Sequence, residues 1–297
     1  MDKIVPHLWF DTEAGEAVDF YISLFDDSER IVTQELEGTP SGEDTNVYEF
    51  KLAGQYMGAV NGGPHFKMNP SISMMVLCDT EEEIQTLWDK LIEDGKELMP
   101  LQSYDFSELY GWVEDKYGFS WQLISSEGMD YKQKLTPSLL FSGPATGKAR
   151  DAMTYYTNLF QNGKVLEVFE YEHGQANHPK AELAHATFEI MDMELVAADN
   201  SEEVDYTFNE AISLMVRCVT QAEIDYYWDK LSAVPEAEQC GWLKDKFGVS
   251  WQIVPMNLGE LLSSGTRKQI NAVTEAFLPM KKLDIEKLER VWEKAAE

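Results

Sequence analysis

Side chains able to do chemistry are sparse in this chain. Of its 297 residues, five are histidine and three are cysteine. None stands in a spacing that makes a metal or nucleophile motif. His173, His178 and His185 are too irregularly spaced for zinc. His7 lies in the apolar run Ile4-Val5-Pro6-His7-Leu8-Trp9-Phe10, where a lone imidazole reads first as a packing or ligand-contact residue. Cys78 and Cys218 recur at matching positions and Cys240 stands alone. No motif around them lowers a thiol pKa, so all three read as structural thiols of a reducing compartment. Gly143-Pro144-Ala145-Thr146-Gly147-Lys148 approaches a phosphate loop, yet only three residues separate its glycines and Ala149 follows where a hydroxyl is needed. It reads as a helix lead-in. A nucleophile elbow and a dinucleotide glycine fingerprint are both missing, so acyl transfer and nicotinamide chemistry have no support.

The strongest signal is a stretch that occurs twice. Residues 111–124 (GWVEDKYGFSWQLI) and 241–254 (GWLKDKFGVSWQIV) agree at eight of fourteen positions, and five more exchange one apolar residue for another. Each copy is an apolar run, a turn with Asp first and Gly fourth (Asp115 to Gly118, Asp245 to Gly248), and a second apolar run. Both are hairpins. Alternation after the turn puts Trp121 and Leu123, or Trp251 and Ile253, on one face and Ser120 and Gln122, or Ser250 and Gln252, on the other. One face packs and the other carries an amide.

The elements that position these residues repeat too. A strand at 4–10 precedes a helix with Ala17, Phe20, Tyr21, Leu24 and Phe25 on one face. Strands follow at 30–37, 47–52 and 55–61, the last closed by Asn61-Gly62-Gly63-Pro64. A second unit runs from strand 71–78 through a helix with Ile84, Leu87, Trp88 and Leu91 to the hairpin. The programme restarts at 135: Leu135–Phe141 matches Ile4–Phe10, 188–200 matches 50–62, and Trp228-Asp229-Lys230-Leu231 repeats Trp88-Asp89-Lys90-Leu91. Nineteen residues separate Leu91 from Gly111, against nine between Leu231 and Gly241. The longer segment, Met99 to Phe106, has the apolar surface to fold over a cup. The expected organisation is a first domain at 1–126, a linker at 127–134, a second domain at 135–256 and a tail at 257–297 of two amphipathic helices split near Pro279.

Composition sets outer bounds. Hydrophobic content is 44% and charged content 26%, ordinary for a chain that buries a core. Acidic residues outnumber basic ones 53 to 24, a net charge of −29. Nucleic acid is excluded as a partner by repulsion. No apolar run approaches membrane-spanning length and the first residues form no apolar signal core, so a cytoplasmic protein away from membranes is expected.

The paired βαβββ units, the Asn-Gly-Gly close, the Asp-Lys-[Tyr/Phe]-Gly-x-Ser-Trp-Gln hairpin and the helical tail resemble the PhnB-like, demethylubiquinone methyltransferase-like branch of the vicinal oxygen chelate superfamily, over essentially the whole chain. The resemblance implies an α+β fold: tandem glyoxalase/bleomycin-resistance-like domains, each of two βαβββ units forming a curved mixed-sheet cup. Superfamily enzymes hold a divalent metal in that cup. On this chain the metal-ligand positions fall on Gln122 and Gln252, on Ser73 and Ser213, and near residues 5–7 and 136–138, where only His7 is a ligand type. Amides and hydroxyls are poor ligands for a catalytic transition metal. No metal and no other cofactor is therefore expected. The glycine-rich strand-to-helix turn of an adenosylmethionine site is also missing, which argues against methyl transfer.

What remains is a binding cup for a small organic molecule. Its expected ligand contacts are His7, Trp9, Asn61, Ser73, Met75, Gln122, Thr136, Asp199, Ser213, Met215, Arg217 and Gln252. Sequestration or sensing is the first reading, and a metal-dependent or metal-free lyase, isomerase or dioxygenase the alternative. The paired tryptophans 88, 121, 228 and 251 read as core, with Trp112 and Trp242 as a mixed case. Because single-domain relatives commonly pair, the duplication is expected to make the chain its own pseudo-dimer and a monomer.

Overall fold

The computed structural model describes residues 2–37, 39, 45–128 and 130–297; Met129, within the expected linker, lies outside them, as do Met1, Gly38 and residues 40–44. In chain order, residues up to 67 form β1 (Ile4–Phe10), α1 (Ala14–Ile22), β2 (Glu29–Leu36), β3 (Thr45–Leu52) and β4 (Gln55–Asn61). Residues 68–208 form β5 (Ile72–Cys78), α2 (Glu81–Leu91), β6 (Lys96–Tyr104), β7 (Ser107–Glu114), β8 (Ser120–Ser125), β9 (Leu135–Phe141), α3 (Ala149–Leu159), β10 (Lys164–Glu170), β11 (Leu183–Ile190) and β12 (Met193–Asp199). The remainder forms β13 (Ile212–Cys218), α4 (Gln221–Leu231), β14 (Trp242–Lys244), β15 (Ser250–Pro255), α5 (Leu258–Ser263), α6 (Arg267–Phe277) and α7 (Ile285–Ala296). None of these helices is long and apolar enough to cross a membrane.

These strands make two mixed sheets, of order β14-β15-β13-β1-β4-β3-β2 and β10-β11-β12-β9-β5-β8-β7-β6. The sequence repeats and the compact units have different boundaries. One unit joins Met1–Lys67 to Asn209–Glu297, and the other is Met68–Phe208. Each sheet therefore takes one half from each copy; three of the halves are βαβββ as expected, and the last (β13, α4, β14, β15) is one strand short, in line with the nine residues between Leu231 and Gly241. The joint in the first unit is the antiparallel pair β1·β13, with His7 opposite Ser213 and Val5 opposite Met215. Its counterpart in the second unit is β9·β5, with Ser138 opposite Ser73 and Thr136 opposite Met75.

Helices cover one face of each sheet. α1 buries Ala14, Ala17, Val18 and Tyr21, and α2 and α4 bury Ile84, Leu87, Trp88, Leu91 and Ile224, Tyr227, Trp228, Leu231. For α2 and α4 this is the 3.6-residue period expected from the sequence; α1 ends at Ile22, so of its expected face Ala17 and Tyr21 are buried in the helix, Phe20 is half-buried, and Leu24 and Phe25 lie beyond it, while Ala14 and Val18 join the face. Thr80 and Thr220 each accept from the backbone N–H three residues on and so cap α2 and α4. The tail has a short helix, α5, before the two expected. Thr266 and Gln269 start α6 with a capping box. Val273, Phe277, Met280, Leu283 and Leu288 then pack with Leu36, Val254, Leu261 and Leu262 in a cluster that belongs wholly to the first unit.

Candidate functional site

The part of the hairpin that the two copies share is a clip. Asp245 Oδ1 accepts from the Phe247 and Val249 N–H groups at 2.8 and 3.0 Å, and its Oδ2 accepts from Trp251 Nε1 at 2.9 Å. Asp115 does the same with Tyr117, Phe119 and Trp121 at 2.8, 3.1 and 2.9 Å. Both carboxylates and both indoles are buried, so the Asp and Trp identities are fixed by structure. Gly118 and Gly248 close the turns at φ of 86° and 94°. The clip sets the register that places Trp242 opposite Gln252 and Trp112 opposite Gln122.

In the first unit that register opens onto a cavity of about 660 Å³. Its sheet wall carries His7, Trp9, Met215, Trp242 and Gln252, and the tail supplies Leu258, Leu262, Phe277 and Leu278. Trp9 meets Phe66 and Trp242 edge-on at 5.1 and 6.0 Å, and His7 meets Trp242 at 5.8 Å. Two glycines make room for these rings. A Cβ on Gly58 would lie 2.5 Å from the His7 ring, and one on Gly62 would lie 2.2 Å from Trp9. Trp9 Nε1 donates to the Gly63 carbonyl at 2.8 Å, which fixes the indole.

The polar end of the cavity is incompletely satisfied. Gln252 Nε2 donates to Ser213 Oγ at 3.0 Å, while Gln252 Oε1 has no donor among the described residues. His7 is 4% exposed and its Nδ1 is buried without a partner. Burial lowers its pKa to about 4, so the imidazole is neutral at pH 7.

In the second unit the corresponding amide is saturated. Gln122 Nε2 donates to Ser73 Oγ at 2.7 Å, and Gln122 Oε1 accepts from the Tyr110 hydroxyl at 2.9 Å. The longer segment of the first copy builds β6 and β7, whose tip places Tyr104 and Phe106 against Tyr110 at 5.6 and 5.1 Å between ring centroids. Burial holds the Tyr110 hydroxyl well above the usual phenol range. Position 240 is the counterpart of Tyr110 in the second copy. Cys240 there has a left-handed backbone, φ 53°, and its Sγ donates to the Leu278 carbonyl at 3.0 Å.

Of the residues expected to contact a ligand, His7, Trp9, Met215 and Gln252 line the first-unit cavity, with Ser213 holding the amide behind them. Ser73, Met75, Gln122 and Thr136 meet on β5, β8 and β9 of the second unit, where all four are buried. His7 accordingly shares a sheet with Ser213 and Gln252, and not with Ser73 and Gln122. Asn61 and Asp199 do something else. Asn61 Oδ1 accepts from the Ala14 N–H at the start of α1. Asp199 accepts from the Gly147 and Ala149 N–H groups at the start of α3 and from Glu182 and Leu183. The loop that approaches a phosphate site is thus filled by a carboxylate of the chain itself. Arg217 is held by Glu49 at 2.8 Å and lies over the Tyr56 ring. Cys240, Phe66 and the tail residues were not expected at the cavity; the Tyr110/Cys240 mismatch between the copies is the signal that points to the first of them.

A divalent metal, which the fold family implies, does not suit this donor set. His7 faces a serine hydroxyl and an amide already bonded to each other, and no group of three His, Cys, Asp or Glu able to hold a metal occurs among the described residues.

Comparison with known proteins places this geometry. The family model described as 3-demethylubiquinone-9 3-methyltransferase matches the chain twice, at residues 2–124 and 133–254. A solved structure, a putative 3-demethylubiquinone-9 3-methyltransferase, PhnB protein, from Bacillus cereus, is 43% identical over 42% of this chain and 100% of its own, with a TM-score of 0.40. Glyoxalase I from Zea mays matches 86% of this chain and 94% of its own at 10% identity and a TM-score of 0.54. A putative dioxygenase from Bacillus subtilis matches 96% and 94% at 10% identity and a TM-score of 0.50. A search of curated proteins gives no match. The last two structures share the fold alone, and the double match of the family model decides the assignment: the chain belongs to the PhnB-like, 3-demethylubiquinone-9 3-methyltransferase family, as two tandem copies of a vicinal-oxygen-chelate fold.

Proposed function

We propose that the chain binds a small, largely apolar organic molecule in the first-unit cavity, without a metal, and serves to sequester or sense it. The observation that carries this reading is an aromatic-walled cavity of about 660 Å³ with two polar side chains, His7 and Gln252, left incompletely bonded at one end. Few well-placed polar groups in an apolar concavity are what small-molecule sites have in common. An imidazole pushed down to about 4 is a weak base at neutral pH, which favours binding over proton-transfer catalysis. Methyl transfer gains no support from the helix start after β9, because Asp199 already occupies its N–H groups. The chain is proposed to act as a monomer.

Native mass spectrometry of protein purified without chelator tests this. The expected spectrum shows a small-molecule adduct that disappears in Met215→Trp, where an indole obstructs the polar end of the cavity beside Gln252. Stoichiometric divalent metal in the same sample would contradict it and put a lyase, isomerase or dioxygenase first.

A further inference from the structure

The two units carry the same amide on the same strand and treat it differently. In the second unit the chain itself supplies a phenol: Tyr110, buried, donates to Gln122 Oε1 at 2.9 Å while the amide nitrogen is fixed by Ser73. In the first unit Gln252 is fixed by Ser213 in the same way, but the aligned residue is Cys240, turned away to the Leu278 carbonyl. An acceptor that faces a cavity and takes no hydrogen bond from the chain is open to a ligand donor, and a ligand that covers it without donating leaves it unpaired.

Resting on the binding reading above, we infer that the molecule taken by the first-unit cavity is a neutral hydroxy-aromatic compound whose hydroxyl donates to Gln252 Oε1, and that Tyr110 is the built-in occupant of the corresponding place in the second unit. The walls agree on the aromatic body, since Trp9, Trp242 and Phe66 present rings set at right angles, the arrangement in which ring edges meet ring faces. The charge of the lining agrees on neutrality. No lysine or arginine is among the described residues that line it, which disfavours an anion. Of the two lining carboxylates, Glu210 is paired with Lys244 at 2.7 Å and Glu236 is exposed to solvent, so neither presents a buried charge that calls for an ammonium.

Calorimetric titration of the full chain with three naphthalenes of one shape tests this: 2-naphthol, its methyl ether and 2-naphthoate. The alcohol is expected to bind at one site, the ether about tenfold more weakly, the worth of one hydrogen bond to a desolvated acceptor, and the carboxylate more weakly still. Gln252→Met should bring alcohol and ether to equal affinity. Tyr110→Cys, which copies the other unit, should add a second site for the alcohol. Equal affinity of alcohol and ether in the unaltered protein overturns the inference and leaves the cavity reading standing. A folded Tyr110→Cys chain with no second site overturns the role given to Tyr110. Nile red, apolar and without a donor, separates the two levels: dye bound and no naphthalene bound overturns the inference alone, and neither bound overturns the cavity reading as well. Should Tyr110→Cys fail to fold, the alcohol against ether comparison decides by itself.

Discussion

The two cups are built on matching central strands; the second unit adds β6 and the first unit the tail, and within the matching strands they differ at a few facing pairs. At the β1·β4 pair of the first unit His7 stands opposite Gly58; at the matching β9·β12 pair of the second, Ser138 stands opposite Val196. Near the end of β1 Trp9 lies against Gly62, the residue just past β4, where the other copy has Leu140 and Asn200. Volume is conserved across each pair while chemistry is not. The large polar or aromatic member goes to the cup of the first unit, and the glycine opposite makes space for it. The third difference is Tyr110 against Cys240, which saturates one amide and leaves the other open. One amide is thus bonded by the chain at both its oxygen and its nitrogen, and the other at its nitrogen alone, beside a cavity.

The part that both units share should cost the most to break. Asp245→Ala and Asp115→Ala each remove three hydrogen bonds to a buried carboxylate, one of them from a buried tryptophan, and each is expected to cost about 4 kcal/mol in denaturant unfolding. A large inequality between the two would mean that the clips are not equivalent.

The next effect is confined to the first unit. His7 has a folded pKa of about 4 against an ordinary value of 6.5, so between these values the unfolded chain binds more protons than the folded one. Stability is therefore complete above pH 6.5 and lost as pH falls toward 4, by about 3 kcal/mol in total. Subtracting the same titration of His7→Gln isolates this slope from that of the carboxylates. No difference between the two profiles would contradict the buried neutral imidazole.

Smaller still is the facing pair. Gly58→Val, which installs the residue of the second unit, should cost about 2 kcal/mol by overpacking against the His7 ring. Adding His7→Ser should recover most of it, and additive losses in the double mutant would break the argument from conserved volume. Smallest is Tyr110→Phe, expected to cost about 1 kcal/mol by leaving Gln122 Oε1 without its donor.

Much of this was legible in the residues, for reasons that are local. The Asp-to-Gly turn, the alternation after it and the faces of α2 and α4 depend on neighbours within a few positions, and they stand where the sequence puts them. Which half pairs with which is not local. β5 (ISMMVLC) and β13 (ISLMVRC) offer β1 nearly the same edge, so nothing in the strand pattern chooses between them. The cavity depends on that choice, because it sets His7 beside Ser213 and Gln252. The tail shows a periodic apolar face, but its cover over Leu36 and Val254 is a tertiary fact. Asn61 and Asp199 read as cup residues by position, yet backbone N–H groups at helix starts claim their oxygens.

Where a bound molecule sits is the most direct test of the asymmetry. Intermolecular nuclear Overhauser effects between bound 2-naphthol and assigned indole protons distinguish the cups, because Trp9 and Trp242 line the first-unit cavity and Trp112 lies opposite Gln122 in the second unit. Contacts to Trp9 and Trp242 without contacts to Trp112 or Tyr110 are the predicted result. Contacts to Trp112 and Tyr110, or equal contacts in both units, would contradict it.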